Sequence, residues 1–160
     1  MSVPSDSTIE IVDFVPELAG AFRELNVEWL DKYFRVEPID DAMLRHPDEV
    51  ILDGGGAILF AKQGNTVVGT AALKHHGEGI YELTKMAVTE RCQGAGIGRK
   101  LVLSCLKKYQ EIGGRRLYLE SHSSLKPALR LYESVGFEHC PPPRRSEYRR
   151  ADVYMVYRHG

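Results

Sequence analysis

Three glycines at alternate positions, Gly94, Gly96 and Gly98, follow Gln93 in the middle of the chain. Because glycine has no Cβ, the backbone of such a loop can turn its N–H groups toward a bound anion. The residues from Ile97 onward have helical spacing, and the free N–H groups at the start of a helix add the positive end of its dipole. The sequence therefore predicts an anion cradle of the kind that holds a pyrophosphate.

Two other phosphate-binding loops fit this stretch less well. A P-loop requires Gly-Lys-Ser/Thr, whereas Gly98 is followed by Arg99 and Lys100, so a nucleoside triphosphatase is not expected. A dinucleotide-binding fingerprint fits better, since Glu120 lies at about the distance of its acidic residue. That fingerprint requires G-x-G-x-x-G, however, and the third glycine comes one residue early here.

Two segments resemble signatures of the GNAT (GCN5-related) N-acetyltransferase superfamily. The stretch from Val88 to Leu101 is similar to its acetyl-CoA motif, Gln/Arg-x-x-Gly-x-Gly/Ala, with Gln93, Gly96 and Gly98 at the defined positions. The stretch from Pro127 to Phe137 is similar to the family's A-x-x-L-Y-x-x-x-G-F. The resemblance is close over positions 56–139 and only general over the first 50.

The resemblance implies an N-acetyltransferase that moves an acetyl group from acetyl-CoA to a primary amine by direct attack. In this family a strand pairs with the pantetheine arm through its backbone and the glycine loop holds the pyrophosphate. The cofactor-binding residues that it implies are Met86, Ala87, Val88, Gln93, Gly94, Ala95, Gly96, Ile97, Gly98 and Arg99.

Acyl transfer from a thioester to an amine needs a base for the amine and an acid for the departing thiolate. Glu82 lies four residues before Met86, on the strand that by resemblance lines the acetyl group, and is the candidate base, acting through water. A cross-strand ion pair with a residue such as Lys74 is the alternative. Tyr132 occupies the position of the tyrosine that the family commonly uses as the acid, although it also fits a core stripe. Three residues before the alanine of the second signature, the family often has an Asn that contacts the cofactor, whereas this chain has Leu125.

The acceptor is expected to bind outside the cofactor motif. We expect it near Trp29, Tyr33, Phe34 and Arg35, and in the loop from Pro141 to Arg150. Positions 1–60 hold 13 acidic against 4 basic residues, and positions 61–160 hold 9 against 17. The acidic first part favours a cationic amine as the acceptor. Arg35 and the arginines between Arg144 and Arg150 favour instead an acceptor with a carboxylate. A small amine or amino-acid-like compound is preferred to a peptide. A non-catalytic acyl-CoA sensor is the alternative of a different class.

Composition bounds the remaining possibilities. With 160 residues and 43% apolar content, the chain is expected to form a single domain over positions 1–160. It has no apolar run near 18 residues and no signal pattern, which predicts a cytoplasmic protein without a membrane partner. Apart from the segment from Arg144 to Arg150, basic residues are not interleaved with aromatics, so nucleic acid is not expected. Three cysteines and six histidines lack metal-ligand spacing, so no metal is expected. The protein is expected to be a monomer or homodimer.

The hydrophobic periodicity predicts the strands and helices that hold these residues in place. Alternating runs over 57–62, 66–74 and 80–88 predict three antiparallel strands. The helix after the glycines should bury one face, made of Ile97, Leu101, Val102, Cys105, Leu106 and Tyr109. The GNAT resemblance implies an α/β fold with a mixed, mostly antiparallel sheet flanked by helices, in the order β-α-α-β-β-β-α-β-α-β-β.

Overall fold

The computed structural model describes residues 8–159, and within them the element order is the one predicted. The elements are β1 (Ile9–Asp13), α1 (Ala19–Tyr33), α2 (Pro38–Arg45), β2 (Ala57–Gln63), β3 (Thr66–His75), β4 (Ile80–Val88), α3 (Ile97–Glu111), β5 (Arg116–Ser121), α4 (Lys126–Ser134), β6 (Phe137–His139) and β7 (Val153–Tyr157). A π-helical turn (Asp48–Leu52), which the sequence reading did not predict, precedes β2.

The seven strands form one sheet in the order β1-β2-β3-β4-β5-β7-β6. Neighbouring strands are antiparallel except β4 and β5, which run parallel. Those two pair only from Ile80 to Glu82 on β4 with Arg116 to Tyr118 on β5. Beyond Glu82, β4 pairs with β3 alone, and β5 continues along β7. The sheet is therefore open between the second half of β4 and the end of β5.

Helices cover both faces of the sheet. Leu59 and Ala61 of β2 pack in the core beneath α3, whereas Ile58 and Phe60 pack with α1 and α2. Because alternate residues of a strand point to opposite faces, α3 lies on one face and the first two helices lie on the other. All six residues of the predicted apolar face of α3 are buried, which confirms that prediction.

A bulge interrupts the pairing of β3 with β4. Thr70 pairs with Ala87 and Ala72 with Thr84, so β4 has one residue more than its partner over this stretch. Lys85 lies in the bulge with φ +55°, an uncommon value for a residue with a side chain. The side chain of Lys85 is only 3% exposed. The bulge therefore brings a lysine into the interior, next to the gap in the sheet.

Candidate active site

A cavity of about 710 Å³ opens from the gap between β4 and β5. It brings together most of the residues that the sequence singled out, from four elements and two loops: Trp29, Tyr33, Phe34, Glu82, Met86, Val88, Gln93, Gly94, Gly96, Ile97, Gly98, Arg99 and Tyr132. The predicted residues Arg35, Ala87 and Ala95 are not among its lining. Arg35 and Ala95 are exposed, and Ala87 is buried in the sheet.

The glycine loop has the backbone that an anion cradle needs. Gly94 and Gly96 have φ values of +86° and +79°, which a residue with a Cβ adopts only at a cost. A Cβ at either position would meet no atom within 4 Å, so the space beside them is open. α3 begins at Ile97, and Lys100 N donates to Gly96 O at 3.2 Å. The N–H groups of the three residues before Lys100 therefore have no acceptor within the helix.

Two side chains brace this loop. The amide of Gln93 donates to the carbonyl of Val88 at 3.4 Å, which ties the loop to the end of β4. The guanidinium of Arg99 donates to the hydroxyl of Ser134 on α4 at 3.0 Å. Arg99 thus lies beside the start of α3, where its charge adds to that of the helix N-terminus. The loop therefore has open space, free N–H groups and a nearby cation, which are the features of an anion-binding site.

Glu82 lies at the point where β4 and β5 separate. Its side chain is 6% exposed and lines the cavity. Strand register places Lys74 opposite it on β3, but the contact made by its carboxylate is with His76, whose Nε2 lies 2.9 Å from Oε1. The carboxylate therefore lies at the cavity with a titratable partner that sequence reasoning did not identify.

A second carboxylate, Glu120, lines the same part of the cavity. Tyr118 pairs with Glu82, and Glu120 lies two residues further along β5, on the same face of the strand. Burial raises the pKa of the Glu120 carboxyl, and the charge of Glu82 adds to the effect, while a hydrogen bond donated by Ser146 at 2.6 Å opposes it. The floor of the cavity is therefore acidic.

Tyr132 fits both interpretations that the sequence allowed. Its ring packs edge-on against Phe137, with centroids 6.0 Å apart, and the residue is 9% exposed. It also lines the cavity, on the side of α4 that faces the glycine loop. Burial raises the pKa of its hydroxyl to about 12, so the phenol retains its proton at neutral pH. A core tyrosine with its proton available at the cavity can serve as a hydrogen-bond donor.

A cluster of four charged residues, the buried charge cluster, forms the end of the cavity nearest α2. Lys85 donates to Asp40 Oδ1 at 2.5 Å. The two terminal nitrogens of Arg150 donate to the two oxygens of Asp40, each at 2.8 Å, and one of them also donates to Glu37 Oε2 at 3.1 Å. The ring of Tyr148 lies 4.8 Å from both cations. Lys85 and Arg150 line the cavity.

The pKa values within this cluster show which interactions dominate. Burial alone would raise the pKa of Asp40, but the hydrogen bond from Arg150 and the charge of Lys85 outweigh it and lower the pKa to about 2. Burial lowers the pKa of Lys85 against the opposing attraction of Asp40. The two acids balance the two bases in charge. Arg150 is thus engaged within the protein and is not available as a clamp for an acceptor carboxylate.

Aromatic side chains form the wall opposite the sheet. The ring of Trp29 lies 5.2 Å from that of Tyr33 and 5.7 Å from that of Phe34, and Phe34 meets His122 edge-on at 5.4 Å. Tyr33 is 40% exposed, so the wall reaches the mouth of the cavity. The faces of such rings attract cations and apolar groups alike.

The described residues support neither a metal site nor thiol chemistry at Cys105. Residues 8–159 contain no group of three or more His, Cys, Asp or Glu side chains placed to hold a metal ion. Burial raises the pKa of the Cys105 thiol to about 12, which keeps it protonated and unreactive. Over the same range, no helix has both the length and the apolar character needed to cross a bilayer.

Comparison with known proteins identifies the family. Residues 21–137 match the acetyltransferase (GNAT) family. An uncharacterized N-acetyltransferase of Escherichia coli K12, YjgM, is 33% identical over 130 residues, which are 78% of this chain and 76% of that protein.

Solved structures share the fold. A GNAT acetyltransferase from Staphylococcus aureus Mu50 superposes with a TM-score of 0.83 at 18% identity, covering 94% of this chain and 98% of that one. The yncA protein of Salmonella typhimurium, solved with its cofactor acetyl-CoA, has a TM-score of 0.71 at 21% identity, covering 94% and 92%. The chain therefore belongs to the GNAT acetyltransferase family, the acetyl-CoA-dependent N-acetyltransferases.

Proposed function

We propose that the protein acetylates the primary amine of a small cationic molecule. The observation that carries this proposal is the arrangement of one cavity. At one end lies the glycine cradle, and at the other end the carboxylates of Glu82 and Glu120 lie across from an aromatic wall. The two cations at the acceptor end, Lys85 and Arg150, are neutralised within the buried charge cluster, where both pair with Asp40.

The donor end is built from backbone groups. The edge of β4 that faces the gap has no strand partner after Glu82, so its N–H and carbonyl groups are available to an extended ligand. We propose that Met86, Ala87 and Val88 pair there with the pantetheine arm, and that Gln93 to Arg99 hold the pyrophosphate. Acetyl-CoA supplies an acetyl group activated as a thioester.

The chain itself then moves protons. Glu82, directly or through a water molecule, accepts the proton that the amine loses when it becomes a nucleophile. Tyr132 holds a proton beside the cradle, where it donates a hydrogen bond to the sulfur as the thioester bond breaks. Its pKa of about 12 keeps that proton in place over the whole physiological range.

The acceptor end favours an ammonium over a carboxylate. Arg35 lies outside the cavity lining. Of the arginines between Arg144 and Arg150, the one that lines this cavity is Arg150, and it is held by Asp40 and Glu37. Glu82 and Glu120 remain to attract a positive charge, and the aromatic wall supplies a face for it. These contacts support a cationic amine without a carboxylate beside its reacting nitrogen.

A thiol-release assay with purified protein and acetyl-CoA tests this proposal. The panel contains polyamines, single primary amines, amino acids, aminoglycosides and short peptides. We expect the highest kcat/KM for a small cationic amine, and a lower one for an amino acid. A kcat/KM for a peptide far above that of every small amine would contradict the proposal. Tight CoA binding with no thiol release from any member would favour an acyl-CoA sensor instead.

A further inference from the structure

Glu82 separates the main cavity from a second and much smaller cavity of about 20 Å³, which is enough for about one water molecule. The second cavity is lined by His76, by charged residues of β3, β5 and the loop before β7, and by two residues of α2. Glu82 and Glu120 line both cavities, whereas His76 lines only the small one. A path thus runs from the acceptor end, through the carboxylate of Glu82, to a cleft between α2, the end of β3 and the loop before β7.

The contact between Glu82 and His76 is the narrow part of that path. Oε1 of Glu82 lies 2.9 Å from Nε2 of His76, within hydrogen-bond distance. The side chain of Glu82 is 6% exposed and that of His76 is 21% exposed. The histidine is therefore the more accessible member of the pair, and its ring stands 5.7 Å from that of Tyr118.

The reaction needs such a path because it releases a proton. An ammonium ion and a thioester become an amide, a thiol and one proton, so each turnover leaves one proton that neither product holds. If Glu82 takes it, the carboxylate must lose it again before the next amine can be deprotonated. Histidine exchanges protons near neutral pH more readily than any other side chain, which makes His76 suited to the second transfer.

We propose that His76 relays the proton from Glu82 to solvent, an inference that rests on the proposed role of Glu82 as base. With the ring proton on Nδ1, Nε2 accepts the proton held by Glu82 Oε1, and the carboxylate is regenerated. The imidazolium then releases its Nδ1 proton to water. The charge on the pair returns to its starting value, with the ring proton now on Nε2. Uptake of one proton from water at Nδ1 and loss of the Nε2 proton to a water molecule in the small cavity restore the Nδ1–H form.

Charged groups of both signs surround this exit. Cations come from Lys74 on β3 and from Arg144 and Arg145 in the loop before β7, and anions come from Glu120 on β5 and Glu147 in that loop. The phenols of Tyr118 and Tyr148 and the apolar side chains of Ile39 and Met43 complete the lining. A proton that leaves His76 therefore meets charged and polar groups on most sides of this cavity.

His76→Gln tests the relay, because glutamine retains a hydrogen-bond donor for Glu82 but cannot carry a proton. We expect kcat to fall about tenfold or more, with little change in KM for acetyl-CoA. In His76→Ala, added imidazole should restore much of the lost kcat. A histidine with a structural role alone would leave no dependence on imidazole or on buffer concentration.

His139→Gln is the matched control. His139 makes a similar contact with a carboxylate, 3.0 Å to Glu133, but it lies on the surface and outside both cavities. Its kcat should match that of the unmodified protein. The relay is refuted if His76→Gln retains full kcat, or if imidazole fails to rescue His76→Ala. Full kcat in Glu82→Gln would instead refute the proposed base, so the two failures are distinguishable.

Discussion

At the scale of single residues, the mechanism that we propose depends on two side chains, of which one must accept a proton and the other must donate one. Glu82 must be free of its proton when the amine arrives, and Tyr132 must still hold its own when the sulfur departs. The structure separates them. Glu82 lies beside His76, where β4 and β5 separate, and Tyr132 lies on α4 with its ring in the hydrophobic core. Different surroundings thus suit the two groups to different roles.

Glu82→Gln removes the proposed base while preserving its size and a polar contact with His76. We expect kcat to fall by about 10²- to 10⁴-fold, the usual contribution of a general base, and we expect KM for acetyl-CoA to change little. Steady-state kinetics at several pH values measure this. Full kcat at every pH would remove Glu82 from the mechanism.

Tyr132→Phe keeps the ring that packs on Phe137 and removes only the hydroxyl. We expect kcat to fall by about tenfold or more. Since the pKa of Tyr132 is raised to about 12, the phenol stays protonated at lower pH, and the ratio of the two kcat values should be constant from about pH 6 to pH 9. A ratio that changes steeply within that range would show that another group supplies the proton.

At the scale of elements, the acceptor end depends on one carboxylate that joins three segments. Asp40 of α2 contacts Lys85 in the bulge of β4 and Arg150 in the loop before β7. The carboxylate also accepts a hydrogen bond from the backbone N–H of Glu37 at 2.9 Å, which closes a capping box at the start of α2. The cluster therefore fixes the helix, the bulge and the loop that border the acceptor site.

Asp40→Asn should destabilise the protein strongly. It would leave the charges of Lys85 and Arg150 buried without their shared partner, which typically costs about 3–5 kcal/mol. Its neighbour provides the control: Asp41 is exposed and pairs with Arg45, so Asp41→Asn should change the free energy of unfolding by less than about 1 kcal/mol. Urea denaturation of both variants measures the difference. Equal, small effects would show that the cluster is not structurally important.

The sequence predicted these elements better than it predicted their contacts. The three strands from β2 to β4, the buried face of α3 and the glycine loop follow from local spacing, whereas the full element order is implied by the family resemblance. The buried charge cluster does not follow from local spacing, because Asp40 lies 45 positions from Lys85 and 110 from Arg150. Lys85 becomes buried through a bulge with no local signal. Register alone favoured Lys74 as the partner of Glu82, yet the carboxylate contacts His76, beyond the end of the strand.

At the scale of the whole molecule, the acidic and basic parts of the chain border different ends of the cavity. The acidic first third contributes α1 and α2, which border the acceptor end, whereas the glycine loop and α3 belong to the basic part. A polyanionic donor and a cationic acceptor would thus approach the two ends of one cavity with favourable electrostatics.

Stability should depend on pH in the acid range through Asp40. Its pKa is lowered from 3.8 to about 2 by folding, so its contribution is present above about pH 4 and is lost as the pH falls toward 2. Between pH 5 and pH 3 the difference in unfolding free energy between the unmodified protein and Asp40→Asn should shrink by about 1 kcal/mol. Urea titrations at the two pH values test this. A difference that stays constant or grows would contradict the assigned pKa.

We propose that the glycine loop binds the pyrophosphate of acetyl-CoA. Calorimetry of CoA binding to Gly96→Asp tests it, with Gly64→Asp as the control. Both glycines have positive φ, at +79° and +61°, and neither has an atom within 4 Å of an added Cβ, but Gly64 lies in the β2–β3 turn. Both variants therefore carry the same backbone cost and the same added charge.

We expect Gly64→Asp to bind CoA as the unmodified protein does. Gly96→Asp should bind at least about tenfold more weakly, a loss of about 1.4 kcal/mol, because its carboxylate would lie where the phosphates are held. Undiminished CoA binding by Gly96→Asp would contradict the assignment of the cradle.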